Sequence, residues 1–182
     1  QSVAAPRVQV GNSIGCRLAV QAAGPDDQLI LTAPPFDYGR GVVPLAKGAE
    51  ADWIKGLYVQ KGNISDEAQI AQDAAAPIKG LLASRAQIRR LRDYKRFAQT
   101  FWHDPALHAA QNRITFVIGD ADFTTPVDAF SDFVRSTLPG ASIEVWKECG
   151  HAVPLDAPQQ LAALIRHRWL RLKMAEGDFA QT

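Results

Sequence analysis

The sequence predicts an α/β fold in which a parallel sheet is covered by helices. Four short apolar runs, at residues 8–10, 28–33, 114–119 and 142–147, have the length and composition of buried parallel strands. Helical patterns separate them, so the chain reads βαβ, then a helical insertion, then βαβα. This order is typical of a parallel sheet with right-handed crossover connections.

Composition indicates one domain and gives little support for a nucleic-acid or membrane partner. The chain has 182 residues, 47% of them hydrophobic, which is enough for a substantial core. Twenty basic and 19 acidic side chains leave a net charge of +1. No apolar run approaches the roughly 20 residues that a membrane helix requires.

The first strand runs directly into a G-x-S-x-G turn at residues 11–15, and a helical run over residues 13–23 follows at once. A serine at the tip of so tight a turn has a strained backbone, and we expect side chains at Gly11 or Gly15 to clash with the adjacent strand and helix. The helix N-terminus would favour negative charge beside the Ser13 hydroxyl. This context is typical of a nucleophile elbow, although the motif alone is common in loops.

Two later strands end in candidate partners for that serine. The strand at 114–119 is followed by Asp120 and Asp122, and the strand at 142–147 is followed by Glu148 and His151. All of these residues lie just beyond the C-terminal ends of predicted strands, where parallel α/β sheets form their sites. The order serine, acid, histidine is the order in which elbow-type sites are assembled along a chain.

With these motifs the chain resembles the C-terminal part of an α/β-hydrolase-fold serine hydrolase, over residues 7 to about 172. The resemblance implies Ser13 as the nucleophile, Asp122 as the triad acid, His151 as the base and the Ile14 N–H as one oxyanion donor. It implies no cofactor and no metal ion. Asp120 and Glu148 are rivals for the acid, and the spacing Gly119-x-x-Asp122 with a proline beyond it favours Asp122.

The implied reaction is cleavage of a carboxylic ester or thioester of a small acyl substrate through an acyl-enzyme. The elbow and the run ending in Gly150-His151 also resemble hydrolases that cleave carbon–carbon bonds of ring-fission products. Those enzymes usually carry a tryptophan after the histidine, where this chain has Ala152, so that reaction is the alternative. Acyl transfer uses the same triad and stays open. A non-enzymatic alternative is a truncated hydrolase half that serves as a binding or regulatory subunit.

The resemblance divides the chain into three parts: the elbow part of the core at 1–36, a helical cap at 37–108, and the rest of the core at 109–182. The cap prediction rests on residues 49–107, where strand signals vanish and apolar residues recur at helical spacing. The basic run from Arg85 to Arg96 is interpreted as a solvated helix face, with binding of an anionic substrate group or an acidic partner as the alternative. The aromatic residues of this region, among them Phe101 and Trp102, are interpreted as ordinary packing. His103, Asp104 and His108 match no standard zinc spacing.

Two helices are predicted in the last third of the chain. One begins with Thr125 as its N-cap and Pro126 at its first position, and continues to about Thr137. The last helix opens at residues 156–158 and carries an apolar face as far as Leu172. From Glu176 onward we expect a frayed tail.

Cys16 and Cys149 are interpreted as two small buried thiols in a reducing compartment, of which the cytoplasm is the one we favour. The alternative is a disulfide bridge between them, because each lies close in sequence to a candidate site residue.

The family core has further strands before the elbow and a loop that supplies a second oxyanion donor, and the chain offers no counterpart of either. We therefore expect the elbow strand at one edge of the sheet, with unpaired backbone groups. The expected partner is a second polypeptide that carries the N-terminal half of the fold. That polypeptide would supply both the missing strands and the loop with the second oxyanion donor.

Overall fold

The structure is a computed structural model that describes residues 5–36, 96, 99–122 and 124–179. Most of the predicted cap, including nearly all of the basic run, lies outside these residues. The proposed division into three parts is therefore not tested. In the part of the chain that is described, no helix is both long enough and apolar enough to cross a membrane.

The predicted parallel sheet is confirmed. The strands are β1 (Val8–Asn12), β2 (Gln28–Thr32), β3 (Ile114–Gly119) and β4 (Ser142–Trp146). They form one four-stranded parallel sheet in the order β1-β2-β3-β4. Among the described residues, β1 pairs with β2 alone, so the elbow strand lies at an edge as expected.

Residues 99–102 are helical, and five α-helices and one 3-10 helix have both ends within the described residues. They are α1 (Gly15–Ala22), α2 (Pro105–Ala109), the 3-10 helix (Gln111–Arg113), α3 (Val127–Thr137), α4 (Val153–Asp156) and α5 (Pro158–Phe179). The short helix α2 was not predicted, although Asp104 caps it by accepting a hydrogen bond of 2.9 Å from the Ala106 N–H. The predicted N-cap of α3 was wrong by one residue, because Pro126 occupies it without a side-chain bond. The expected fraying from Glu176 was also wrong, since α5 continues to Phe179.

The core lies on both faces of the sheet, because side chains alternate along each strand. On β3 every residue is buried: Phe116 packs into a cluster with α1 and α3, and Val117 packs into a second cluster with α4 and α5. Trp102 joins the first cluster and donates a hydrogen bond of 2.7 Å to the Pro35 carbonyl. The interpretation of Phe101 and Trp102 as packing residues therefore fits their burial.

Helix α5 buries less of its apolar face than its sequence predicts. Leu161, Leu164 and Ile165 pack against the sheet, in the second cluster. Trp169 and Leu170 are 47% and 45% exposed, whereas Leu172 is half-buried. The predicted apolar face is therefore buried only in part, and the prediction was wrong for Trp169 and Leu170.

A buried carboxylate organises the edge of the sheet at which the strands begin. Asp27 is 3% exposed and accepts hydrogen bonds from the backbone N–H groups of Arg7 at 2.8 Å and Gly24 at 2.9 Å. The side chains of Gln9 and Arg7 donate to the same carboxylate at 3.1 and 3.3 Å. Burial alone would raise the pKa of Asp27, but these four donors together hold it below its ordinary value.

We predict that Asp27→Asn lowers the free energy of unfolding at neutral pH by about 1.5–3 kcal/mol, because an amide NH₂ replaces an acceptor that several donors face. The folded-state pKa is the lower one, so the stabilisation is present above the unfolded-state pKa of about 3.9 and disappears as pH falls through the folded-state value. Urea unfolding of both proteins from pH 7 to acid checks this. The exposed neighbour Asp26→Asn is the control, and a loss that persists undiminished in acid would contradict the account.

Candidate active site

The turn after β1 holds Ser13 in a strained conformation at the carboxyl edge of the sheet. Its φ is 52°, in the left-handed region that favours glycine. The Ser13 N–H donates a hydrogen bond of 2.9 Å to the Thr32 carbonyl at the end of β2, and its own carbonyl accepts one of 3.0 Å from Cys16. The strained backbone is therefore tied to both the neighbouring strand and the following helix.

The two glycines of the turn play different parts. A Cβ on Gly11 would lie 2.6 Å from the Cys16 Cα, so α1 packs against the strand at a distance that only glycine permits. A Cβ on Gly15 would meet no described atom within 4 Å, so the predicted clash at that position was wrong. Gly15 is the first residue of α1.

The structure brings together the three side chains that the sequence singled out. The Ser13 Oγ lies 3.0 Å from the His151 Nε2, and the His151 Nδ1 lies 2.9 Å from an Asp122 carboxylate oxygen. The residues come from the ends of three different strands, β1, β3 and β4. An imidazole with its hydrogen on Nδ1 donates to the carboxylate and offers the Nε2 lone pair to the serine hydroxyl.

The acid is the most deeply buried member of this group. The Asp122 side chain has no exposed surface, whereas the His151 side chain is 15% exposed. Burial alone would raise the pKa of the Asp122 carboxyl, but the hydrogen bond and charge of His151, with hydrogen bonds from Thr124, hold it below its ordinary value. The carboxylate is therefore ionised at neutral pH.

A fourth polar side chain lies in contact with this group. The Thr124 Oγ1 is 2.7 Å from Oδ1 of Asp122 and 2.9 Å from the His151 Nδ1. The Thr124 backbone N–H donates a further hydrogen bond of 2.8 Å to the same Oδ1. Sequence reasoning missed this contact: Thr124 lies two residues after the acid, and only the next residue, Thr125, was interpreted, as a helix cap.

Neither rival acid contacts the histidine. The carboxylate of Asp120 pairs with the Lys147 ammonium at 3.5 Å, near the surface. Glu148 adopts a φ of 52° in the turn between β4 and His151, so its backbone contributes to the change of chain direction there. Of the three candidate acids, Asp122 is the one that the fold places against the imidazole.

The loops after β3 and β4 are fastened to each other and to helix α4. The Ala121 N–H donates a hydrogen bond of 3.0 Å to the Cys149 carbonyl. The Gly150 N–H donates one of 2.7 Å to the carboxylate of Asp156, which is 2% exposed. A hydrogen bond to a charged acceptor is a strong one, so Asp156 fixes the backbone immediately before His151.

Both cysteines are free and buried, so the interpretation of two thiols holds rather than the disulfide alternative. The Cys16 Sγ lies against the carbonyls of Gly11 and Thr32, at 3.3 and 3.4 Å, inside the elbow. Burial, with the carboxylates of Asp156, Asp122 and Asp120, raises the pKa of the Cys149 thiol to about 12. Both thiols are therefore packing groups and not nucleophiles at neutral pH.

Ile14, the sequence-predicted oxyanion donor, is the N-cap of α1. Its backbone N–H thus lies at the positive end of the helix, immediately after Ser13. Its side chain is 55% exposed and does not anchor the turn.

Asp104 and His108 serve the local fold, and His103 is exposed. Asp104 caps α2, and a ring nitrogen of His108 lies 2.8 Å from the Trp102 carbonyl. Among the residues that the structure describes, no cluster of three or more potential ligand side chains has the arrangement of a metal site.

Comparison with known families matches residues 2–164 to the Alpha/beta hydrolase family. Comparison with curated protein sequences finds no match.

Several solved structures share the fold at low sequence identity. A serine hydrolase from the polyaromatic-hydrocarbon-degrading bacterium Cycloclasticus zankles is 19% identical, with a TM-score of 0.55 over 93% of this chain and 64% of that one. Est816, an N-acyl homoserine lactone degrading enzyme, is 19% identical, with a TM-score of 0.52 over 90% and 68%. The hydrolase BphD from Rhodococcus sp. strain RHA1 is 18% identical, with a TM-score of 0.55 over 88% and 62%. The chain thus spans about two thirds of the length of these proteins, and the likeness establishes the fold alone.

We predict that Gly119→Ala destabilises the protein, because a Cβ at this position would lie 2.0 Å from the Cys149 carbonyl oxygen. The added methyl group would force the two loops apart. We expect the free energy of unfolding to fall by about 1–3 kcal/mol, the usual cost of overpacking. Gly15→Ala is the matched control, since its Cβ meets open space. Equal unfolding free energies for the two variants, measured with urea, would refute the close contact of the loops.

Proposed function

Because the chain belongs to the α/β-hydrolase family, we propose that it is a serine hydrolase that cleaves a carboxylic ester or thioester through an acyl-enzyme. The observation that carries the proposal is the continuous contact from Ser13 Oγ to His151 Nε2 at 3.0 Å, and from His151 Nδ1 to Asp122 at 2.9 Å. Both distances are within the reach that a nucleophile and its base need.

In the acylation step His151 accepts the Ser13 proton as the oxygen attacks the acyl carbonyl carbon. Asp122 keeps the imidazole in the Nδ1–H tautomer and stabilises the imidazolium that forms. His151 then gives the proton to the departing alcohol or thiol, and the acyl group is left on Ser13. Water, deprotonated by the same imidazole, releases the acid and restores the free serine.

Negative charge develops on the carbonyl oxygen in both steps. In the proposal the Ile14 N–H is one donor to it, supported by its place at the N-terminus of α1. Losing one of two such donors typically costs roughly 2.7–4 kcal/mol of transition-state stabilisation, so a second donor is part of the proposed active unit. The proposal also places residues 37–108 over the site as a cap.

We further propose that strands from a second polypeptide complete the sheet beyond β1 and supply that second donor. In support, β1 pairs on one side only among the described residues. Three apolar residues on or beside it, Val10, Ile14 and Leu18, are 39%, 55% and 68% exposed. An unpaired edge with apolar neighbours is the kind of surface that pairs with another strand.

We predict that Ser13→Ala abolishes the esterase activity of the completed protein, with kcat lower by at least about 10⁴-fold, because the proposed acyl intermediate forms on the Ser13 oxygen. Hydrolysis of p-nitrophenyl esters measures the rate, and an aryl fluorophosphonate followed by mass spectrometry locates the modified residue. Ser136→Ala, an exposed serine on α3, is the control. Full activity in the Ser13 variant, or modification at another residue, would exclude the proposed nucleophile.

We predict that the chain alone is aggregation-prone or weakly active, and that the complementary N-terminal half of an α/β-hydrolase core restores activity, because that half covers the β1 edge. Light scattering gives the solution mass, and thioester hydrolysis before and after mixing gives the activity. A fully active, soluble monomer would overturn the two-chain proposal while leaving the role of Ser13 intact.

A further inference from the structure

We propose that Thr124 is a positioning residue that fixes both the tautomer and the orientation of His151 through its hydroxyl group. This inference rests on the proposed function of the Ser13 site, because the imidazole matters only if it acts on that serine. The motivating observation is that one hydroxyl lies within hydrogen-bond reach of two members of the triad at once.

The direction of the hydrogen bonds follows from the charges. The Asp122 carboxylate accepts only, so the single Thr124 hydroxyl proton points at Oδ1, 2.7 Å away. The Thr124 oxygen then presents a lone pair to the His151 Nδ1, 2.9 Å away. Since Oδ2 of Asp122 also presents a lone pair to Nδ1 at 2.9 Å, this nitrogen faces two acceptors and carries the hydrogen.

The position of this hydrogen determines whether the other ring nitrogen, Nε2, can accept the Ser13 proton. With the hydrogen on Nδ1, Nε2 has a free lone pair directed at the Ser13 Oγ, 3.0 Å away. With the hydrogen on Nε2, Nδ1 would face the Asp122 oxygen lone pair to lone pair, which is repulsive. Asp122 alone disfavours that tautomer, and the second acceptor at Thr124 adds to the preference and limits rotation of the ring.

Thr124 also fixes the carboxylate itself. Its backbone N–H holds Oδ1 at 2.8 Å, and its hydroxyl holds the same oxygen from a second direction. Oδ2 is thereby left to the imidazole alone. A side-chain substitution removes the hydroxyl contacts and keeps the backbone bond, so the two contributions can be separated by mutation.

The variants are Thr124→Val, which keeps the shape and removes the hydroxyl, and Thr124→Ser, which restores the hydroxyl. The matched control is Thr115→Val, which removes another buried hydroxyl, 3.0 Å from the Ser142 Oγ and at the opposite end of β3. Thermal unfolding of all three shows which have folded and by how much each is destabilised.

Activity is measured in the presence of the complementary N-terminal half, as p-nitrophenyl ester hydrolysis and as the rate of Ser13 modification by a fluorophosphonate. We expect Thr124→Val to lower kcat about 10- to 100-fold with little change in KM, because a hydrogen bond to a charged group is lost in the transition state. Thr124→Ser should return most of the rate. Thr115→Val should lose stability but not kcat.

The second readout does not depend on activity. Long-range ¹H–¹⁵N correlation spectra of the histidine rings, assigned with His151→Gln, report which nitrogen of His151 carries the hydrogen. We expect the Nδ1–H form in the wild type and in Thr115→Val, and a mixture of tautomers in Thr124→Val. An unchanged His151 spectrum together with an unchanged kcat in Thr124→Val would overturn the inference while Ser13 still reacts. A changed spectrum in a protein whose Ser13 never reacts would refute the proposed function and uphold the role of Thr124.

Discussion

The geometry of the site depends on one close backbone contact, between the end of β3 and the loop after β4. Gly119 approaches the Cys149 carbonyl so closely that a Cβ would lie 2.0 Å from its oxygen. The same carbonyl accepts the Ala121 N–H at 3.0 Å, so the loop that bears Asp122 is hydrogen-bonded to the loop that bears His151. This backbone contact brings the two loops close enough for the 2.9 Å contact between acid and imidazole.

Strain and stability are placed at opposite ends of the sheet. The non-glycine residues with positive φ among those described, Ser13, Ala33 and Glu148, each follow a strand at its carboxyl end. At the other end Asp27 gathers four hydrogen bonds around the starts of β1 and β2, and Arg113 donates to the nearby backbone carbonyls of Asp27 and Gly24. A well-satisfied end can offset the cost of a strained one, which is a common arrangement for functional sites.

Features of the fold that are determined by residues adjacent in sequence were predictable from the sequence alone. The strands were predictable because each is a short apolar run between turn residues, and β3 agrees with its predicted bounds to the residue. The order of serine, acid and histidine followed from strand ends, and the structure brings those side chains into contact. Their catalytic roles stay a proposal.

What escaped prediction arises from tertiary contacts. The Thr124 hydroxyl has a partner 27 residues away, and nothing at that distance marks it in a single sequence. The absence of described atoms within 4 Å of a Cβ at Gly15 and the exposure of Trp169 and Leu170 on α5 likewise depend on what packs nearby. Helix α2 has only five residues, too few for its periodicity to be recognised, and its capping residue Asp104 was considered only as a candidate metal ligand.

The three catalytic candidates also differ in how firmly the sheet supports them. Asp122 follows β3, which is buried along its whole length, whereas Ser13 follows β1, an edge strand among the described residues. Ser13 is nevertheless held by contacts on the β2 side. Its N–H donates a hydrogen bond to the Thr32 carbonyl, and the Cys16 thiol contacts the Gly11 carbonyl inside the turn. The nucleophile therefore keeps its distance to His151 without a neighbour beyond β1. In the two-chain proposal, a strand paired beyond β1 supplies an oxyanion donor and covers apolar side chains, whereas the contact between Ser13 and His151 already forms without it.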